Sequence, residues 1–446
     1  MFRRNNAVIE GSVIARYLCG LMFFTQAIHA ATTEKWVTLT QLTEPTPTAS
    51  YRFGEAVSMS DNYLVVGAPG TSSGAGTVYV FTRTGNAWAL SDTLHAPSWQ
   101  LQAGAHFGAT LAVSGDNLLV GEPDYDDTAV GSGSVCFYRR NAVTGKFALA
   151  FDAGYAQTGA HFGYSVAVSA TQALVGAPGV AAVGNPANSG AVFAWQYSQN
   201  AWSSMPLATA SPAGNGAGFG SSVALFEPST GATPTTFAAG APGYGAFGAN
   251  HLGEVFLFAF GAGAWTQSQR LHEQSETQGD GFGTSVAISA DRVFGGSIAR
   301  DNPGGATMSG SVTSFYGSPG SFAREDELFS TGGSSNAQFG QRLSLYVEGH
   351  APHLFVGAPF ANQSASVADS GAAFAFLPQT TPGIWLQQDR LSLGSGAVAS
   401  DHLGSAVSAF GLYVAVGAPQ REVGTKTSAG VVEIFIKDAI YADGFQ

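Results

Sequence analysis

Hydrophobic and polar residues alternate in short runs along the chain, and glycine, proline or serine bounds each run. In residues 53–81, a serine-interrupted apolar run is followed by the continuous run Leu64-Val-Val66 and then by Val78-Tyr-Val-Phe81. Short runs rich in Val, Tyr and Phe between turn residues are typical of β-strands. The segment therefore predicts three short strands joined by tight turns.

Three short sequence motifs, which we call marks, lie at the ends of these strands. They recur in the same order seven times along the chain. The first mark is Phe-Gly, or Leu-Gly in the last copy, at Phe53, Phe107, Phe162, Phe219, Phe282, Phe339 and Leu403. The second is Gly-Ala-Pro or a variant of it, beginning at Gly67, Gly121, Gly176, Gly240, Gly295, Gly357 and Gly417. The third is a glycine that opens a run ending in an aromatic residue, at Gly76, Gly133, Gly190, Gly253, Gly310, Gly371 and Gly430. Such regular self-similarity indicates a repeat architecture.

A fourth mark predicts one more strand in each repeat. It is an aromatic residue with leucine six positions later, as in Trp88/Leu94, Trp265/Leu271, Phe322/Leu328 and Trp385/Leu391, while Phe147 and Trp202 keep the aromatic alone. Because six is an even offset, we expect both side chains of a pair to lie on one face of the strand.

Four strands in each of seven repeats predict an all-β chain folded as a seven-bladed β-propeller over residues 36–437. The seventh repeat ends at Phe435 without a fourth strand, but the pair Trp36/Leu42 stands before the first repeat. We therefore expect the N-terminal strand to complete the last blade and close the ring, which leaves no open sheet edge.

The first two marks, in this order and number, resemble the FG-GAP repeats of integrin α-subunit propellers, and the short hairpins resemble the bacterial FG-GAP subfamily. The resemblance implies a propeller that serves in binding or adhesion. Many integrin-type repeats carry a calcium loop rich in aspartate between the first two strands. Here that place holds tight hairpins such as 58–62 and 114–117, with at most one carboxylate each. Calcium requires six to eight oxygen ligands, so we predict no metal site of that type.

The first 30 residues are typical of an export signal. Arg3, Arg4 and Arg16 accompany an apolar run at 17–28, and cleavage is expected after Ala30. A retained membrane anchor is the alternative. Export predicts an extracellular, cell-surface or periplasmic location, with no membrane span after cleavage. Residues 438–446 form a short C-terminal tail outside the repeats.

The charge of the chain narrows the classes of partner. The net charge is −12 and no basic stripe exists, which argues against nucleic acid as a partner. Cys136 is the single cysteine left after cleavage, so no intramolecular disulfide forms, and its strand-like surroundings predict a buried small side chain. A reactive thiol is the alternative interpretation.

Candidate ligand-binding residues lie in loops that the propeller places on one face. Asp124, Asp126 and Asp127 bring three carboxylates into four positions, suited to a cation or a sugar. Arg300 with Asp301, and Arg421 with Glu422, are charge pairs in equivalent loops of other repeats. For all of these residues, solvated loop side chains are the alternative reading.

Three histidines stand directly before a first mark, at His106, His161 and His402. A shared metal would need its ligands within a few ångströms. The same position holds Arg, Gly or Gln in other repeats, which favours a loop position over a metal site.

We find no catalytic motif in the sequence and predict a non-enzymatic binding or adhesion module for a protein or carbohydrate partner, without cofactor and monomeric. The alternative is a hydrolase or lyase with a site near the propeller axis.

Overall fold

The computed structural model describes residues 34–229, 234–245, 252–273, 279–348, 351–379 and 383–438. Its strands form seven four-stranded antiparallel sheets, the blades. The first strand along the chain is β1 (Trp36–Leu42). Blade one contains β2 (Ala56–Ser60), β3 (Tyr63–Ala68), β4 (Thr77–Thr84) and β5 (Ala87–Leu94). Blade two contains β6 (Thr110–Ser114), β7 (Asn117–Glu122), β8 (Ser134–Arg140) and β9 (Phe147–Gly154). Blade three contains β10 (Ser165–Val168), β11 (Gln172–Ala177), β12 (Ala191–Ser198) and β13 (Ala201–Ser204).

The remaining four blades repeat this arrangement. Blade four contains β14 (Ser222–Phe226), β15 (Thr236–Ala241), β16 (Glu254–Gly261) and β17 (Ala264–Leu271). Blade five contains β18 (Ser285–Ile288), β19 (Arg292–Ser297), β20 (Ser311–Tyr316) and β21 (Ala323–Leu328). Blade six contains β22 (Arg342–Glu348), β23 (Ala351–Ala358), β24 (Ala372–Pro378) and β25 (Trp385–Leu391). Blade seven contains β26 (Ala406–Phe410), β27 (Tyr413–Ala418), β28 (Val431–Lys437) and β1. The helical segments are α1 (Thr71–Gly74) and a 3-10 turn (Gly394–Gly396).

The ring closes as the sequence predicts. Strand β1 pairs antiparallel with β28, from Trp36 against Lys437 to Leu42 against Val432. The first strand of each blade packs against the first strand of the next, including β26 against β2. These contacts confirm an all-β, seven-bladed propeller in which the N-terminal strand completes the last blade.

The sequence marks lock neighbouring blades together. A Cβ on Gly67 would lie 2.0 Å from the carbonyl oxygen of Gly108, the glycine of the Phe-Gly mark in blade two. The last junction repeats this contact, where a Cβ on Gly417 would lie 1.9 Å from the oxygen of Gly54. No side chain fits between backbones this close, so both marks need glycine for blade packing. The phenylalanine of the Phe-Gly mark fills the same junction, as with the fully buried Phe53.

The contact between the second-mark glycine and the next blade corrects the position of the second mark in blade five, which the sequence placed at Gly295. In blade five it is Gly296, not Gly295, that lies against the next blade, 2.2 Å from the oxygen of Gly340 when a Cβ is added. Gly296 also pairs with Ser285, in the register that Gly67 holds with Ala56 in blade one. The second mark of blade five therefore reads Gly-Ser-Ile and begins one residue later than its sequence suggests.

The expectation that both residues of the fourth mark share one face is wrong. A β-bulge interrupts the outermost strand in six blades; in β5 it falls between Leu90 and Asp92. One extra residue inverts the alternation, so positions six apart face opposite sides. Trp88 accordingly packs against blade seven, while Leu94 packs into the junction with blade two. The outermost strand of blade one therefore contributes side chains to the junctions with both neighbouring blades.

The hairpins at the calcium-loop position use their polar groups within the protein. The Asp116 carboxylate pairs with Arg140, and Asn62 accepts a hydrogen bond from Arg83. In blade three, the hairpin N–H and hydroxyl of Thr171 donate to Glu227 of the next blade. These side chains present few free oxygens to an ion.

We therefore expect calcium to leave the stability of the chain unchanged. The melting midpoint should differ by less than about 1 °C between millimolar calcium and a chelator, because a ligand stabilises a fold only by binding it. Thermal unfolding followed by circular dichroism measures this, with magnesium as the matched ion. A calcium-specific rise of several degrees would contradict the prediction.

Candidate functional site

Two sets of loops lie together on one side of the ring, which we call the loop face. One set follows the Gly-Ala-Pro marks, and the other leads into the Phe-Gly marks. They are joined by backbone hydrogen bonds, for example from Gly70 N–H to the Tyr51 carbonyl and from Gly179 N–H to the Ala160 carbonyl, each 3.2 Å. The loop positions predicted from the sequence therefore share a face.

The residue before each Phe-Gly mark adopts a left-handed backbone. Its φ is positive in all seven blades, at Arg52, His106, His161, Gly218, Gly281, Gln338 and His402. Branched residues are strained there, whereas glycine and some polar residues are tolerated. This geometry confirms the interpretation of the three histidines as occupants of a loop position.

Two of those histidines meet one aspartate. His106 Nδ1 lies 2.7 Å from Asp124 Oδ2, and His161 Nδ1 lies 3.6 Å from Asp124 Oδ1. The hydrogen bond from His106, together with the nearby His161, lowers the pKa of Asp124 from its ordinary value. All three side chains are partly exposed. The arrangement fixes an ionised carboxylate between two imidazoles at the border of blades two and three.

The other two predicted aspartates shape their loop. Asp126 accepts the Gly131 N–H at 2.6 Å, and its own N–H donates to Gln102 Oε1 at 2.8 Å. The N–H of Asp127 donates to Ser132 Oγ. Both aspartates are exposed. The loop after strand β7 is therefore tied to the loop that precedes blade two.

Exposed apolar residues stand in the same two loops and were missed from the sequence. Trp99 is 66% exposed, Leu101 60% and Val130 69%. With Asp124 and Asp126 we call them the blade-two patch. Large exposed side chains beside fixed polar groups are a feature of interaction surfaces. Their signal in the sequence was weak, because Trp99 does not recur in the repeat pattern.

The side chains of Arg300 and Arg421 are largely buried, with 13% and 18% of their surface exposed. Arg300 forms ion pairs with Asp280 at 3.2 Å and Glu327 at 3.0 Å, and Arg421 pairs with Asp401 at 2.5 Å. Both arginines stand four residues after the glycine of the second mark, and both aspartates stand two residues before the first mark. The two arginines are therefore equivalent structural groups.

The neighbours of these arginines remain at the surface. Asp301 is exposed and accepts the Met308 N–H at 2.8 Å, and Glu422 is exposed. The sequence suggested two charge pairs from adjacency, Arg300 with Asp301 and Arg421 with Glu422. In each of them the arginine points into the fold and the acidic residue points outward.

A buried polar cluster lies beneath the blade-two patch. Glu122 replaces the alanine of the second mark and is fully buried; its Oε2 has no hydrogen-bond partner. Burial raises its pKa to about 8. Cys136 donates to Gln100 Oε1 at 3.2 Å and lies 3.6 Å from Glu122. Burial also raises the pKa of the Cys136 thiol, which confirms the buried position and argues against a reactive thiolate.

A central cavity of about 630 Å³ occupies the axis at the loop face. It is lined by the start of the innermost strand of every blade. The residue two positions after the first mark is Glu55, Ala109, Tyr164, Ser221, Thr284 or Gln341 in the first six blades. The next residue is Ala56, Thr110, Ser165, Ser222, Ser285, Arg342 or Ala406. Glu55 is neutralised by Arg52 at 2.5 Å.

Within the ranges described above, no three His, Cys, Asp or Glu side chains form a metal-binding group. In the same part of the chain, no helix is long and apolar enough to cross a membrane. The predicted signal peptide (1–30) and all of the predicted tail except Asp438 fall outside the described residues.

Comparison with known sequences agrees with the repeat geometry. The sequence model of the FG-GAP repeat matches residues 36–81, 153–195 and 265–313. These segments carry parts of blades one to five and seven, and each includes at least one of the marks that form the blade junctions. No curated protein matches the chain.

Proposed function

We propose that this chain, an FG-GAP repeat protein with a seven-bladed propeller fold, is an exported, non-enzymatic module that binds a protein or glycan partner at or outside the cell surface. The observation that carries the proposal is the blade-two patch. It combines three exposed apolar side chains with carboxylates held in place by their own loop. Hydrogen bonds between Gln102 and Asp126 tie the two loops together, which lowers the entropic cost of binding.

The chemistry of the loop face supports binding over catalysis. The low pKa of Asp124 leaves its carboxylate ionised near neutral pH, so it is a poor proton donor. The serine and threonine hydroxyls that line the central cavity donate to backbone carbonyls, and none of these six donates to a histidine or carboxylate that could activate it. An activated nucleophile needs such a base.

Export rests on the sequence of residues 1–30, with their basic start, apolar run and small residues near Ala30. Fractionation of the producing cell, with an antibody against the propeller, tests it. Accumulation of the full-length chain in the cytoplasm would overturn this part of the proposal.

Replacing Trp99 with alanine is expected to weaken partner binding at least tenfold, because exposed tryptophans often dominate interface energies. The immobilised chain, without residues 1–30, would be tested against cell-surface proteins and a glycan array. Tyr316→Ala, at an aromatic residue that is 53% exposed on blade five, is the matched control and should bind normally. The proposal fails if the unchanged chain retains nothing above background, or if Trp99→Ala binds equally well.

A further inference from the structure

The central cavity differs from the rest of the loop face in its hydrogen-bonding character. Six serine and threonine hydroxyls line it, and each already donates its proton to a backbone carbonyl: Thr110, Ser165, Ser221, Ser222, Thr284 and Ser285. A hydroxyl that has given its proton can still accept hydrogen bonds. The wall therefore offers acceptors to a ligand and calls for a ligand rich in donors.

Arg342 is a positively charged donor in a cavity wall that otherwise offers mainly acceptors. Arg342 stands where other blades have alanine, serine or threonine, and it donates to the Gln341 carbonyl at 3.0 Å. Within the described chain it forms no ion pair, whereas the cavity's carboxylate, Glu55, is held by Arg52. Arg342 thus leaves the cavity with one uncompensated positive charge, in a protein that is acidic overall.

A half-exposed aromatic ring faces the same space. Tyr164 lines the cavity from blade three and is 49% exposed, while Arg342 enters from blade six, on the far side of the ring. Aromatic rings offer an apolar face against which the C–H face of a sugar can pack. The volume of about 630 Å³ falls within the range of roughly 300–1,000 Å³ that is usual for small-ligand sites.

We propose that the central cavity binds a polyhydroxylated carboxylate, a sugar acid, whose carboxylate pairs with Arg342 and whose hydroxyls donate to the acceptors of the wall. Arg342 disfavours an amino sugar, and a simple carboxylate leaves the acceptors unused. The site is separate from the blade-two patch and does not depend on the partner proposed there. Its ligand is either a free sugar acid or the terminal residue of an acidic glycan.

The test is a titration of the chain with sodium D-glucuronate, a short galacturonate oligomer, D-glucose and glucosamine, followed by calorimetry and ligand-observed NMR. We expect a sugar acid to bind at least tenfold more tightly than glucose, since hydrogen bonds to charged groups are strong. Arg342→Ser should remove that preference, and Arg342→Lys should keep part of it. Arg324→Ser, which changes an exposed arginine on strand β21, is the matched control.

Serine occupies the position of Arg342 in three other blades, so Arg342→Ser is expected to fold, and its melting curve checks this. Tighter binding of the free acid identifies a monosaccharide site, and tighter binding of the oligomer identifies a glycan end; both support the proposal. It is overturned if no sugar acid binds, if glucose or glucosamine binds as well, or if folded Arg342→Ser binds the acid as tightly as the unchanged chain.

Discussion

Replacing Glu122 with glutamine is expected to make the stability of the chain less dependent on pH. Glu122 is fully buried where most other blades have alanine, and burial raises its pKa to about 8 from an ordinary 4.5. Asp152 adds to this shift through its charge. Glutamine keeps the size of the side chain and an oxygen that can accept from Cys136, but it cannot ionise.

The direction of the effect follows from the two protonation states. A carboxyl group with a higher pKa in the folded chain than in the unfolded chain stabilises the fold fully below the unfolded value. This stabilisation is lost as pH rises from about 4.5 to about 8. Because one pKa unit corresponds to about 1.4 kcal/mol, the loss is on the order of 4 kcal/mol. Glu273, whose burial raises its pKa to about 7, adds a smaller loss in the same window.

The informative measurement is the difference between Glu122→Gln and the unchanged chain at each pH. Between pH 4.5 and 8, the free energy of unfolding of the variant should rise relative to that of the unchanged chain by on the order of 4 kcal/mol. For a chain of this size, this corresponds to about 5 °C in the melting midpoint. Glu422→Gln, at an exposed glutamate, serves as the control and should show no such trend. A pH-independent difference would show that Glu122 ionises normally in the fold.

Much of the fold could be predicted because the same pattern of strands and turn residues recurs in every repeat. One Phe-Gly or Gly-Ala-Pro is weak evidence, but seven copies in register fix the number of blades. The displaced pair Trp36/Leu42 shows how the ring closes. The junction glycines explain why these marks recur: Gly67 and Gly108 touch across neighbouring blades, so neither can change.

What the sequence did not reveal depends on contacts between repeats. The bulge in the outer strands carries no distinctive residue, so the opposite orientations of Trp88 and Leu94 escape a simple count of alternation. The central cavity is assembled from all seven blades, and Arg342 becomes notable only when its equivalents are seen to be small. The blade-two patch depends on the meeting of two loops 20 or more residues apart, as Gln102 and Asp126 show.

The buried ion pairs did leave a signal that comparison of the repeats could have found. Aspartate stands two residues before the first mark in blades five and seven alone, and these blades alone carry arginine four residues after the second-mark glycine. Joint variation of two positions indicates contact. Adjacency along the chain, which suggested Arg421 with Glu422, was the weaker guide.

Replacing Arg421 with alanine is expected to lower the free energy of unfolding by about 3–5 kcal/mol at pH 7, because it strands a buried carboxylate. The Asp401 side chain is 4% exposed, and burial raises its pKa even with Arg421 at 2.5 Å. The loss should be smaller at pH 5 than at pH 7, because burial raises the pKa of Asp401 and the removal of Arg421 raises it further, which favours the neutral carboxyl group as the pH falls. Denaturant unfolding at the two pH values measures it.

The double variant Asp401→Ala/Arg421→Ala should recover most of that loss, to within about 1 kcal/mol of the unchanged chain, since apolar groups can replace a buried ion pair at little cost. Blade six is the natural precedent, because it has Ala337 and Ala361 at the two positions and buries both. Lys146→Ala removes a lysine that is 62% exposed from its 3.5 Å pair with Asp92 and should cost less than about 1 kcal/mol. If the double variant is as unstable as Arg421→Ala, the arginine stabilises the loop by packing and not by neutralising Asp401.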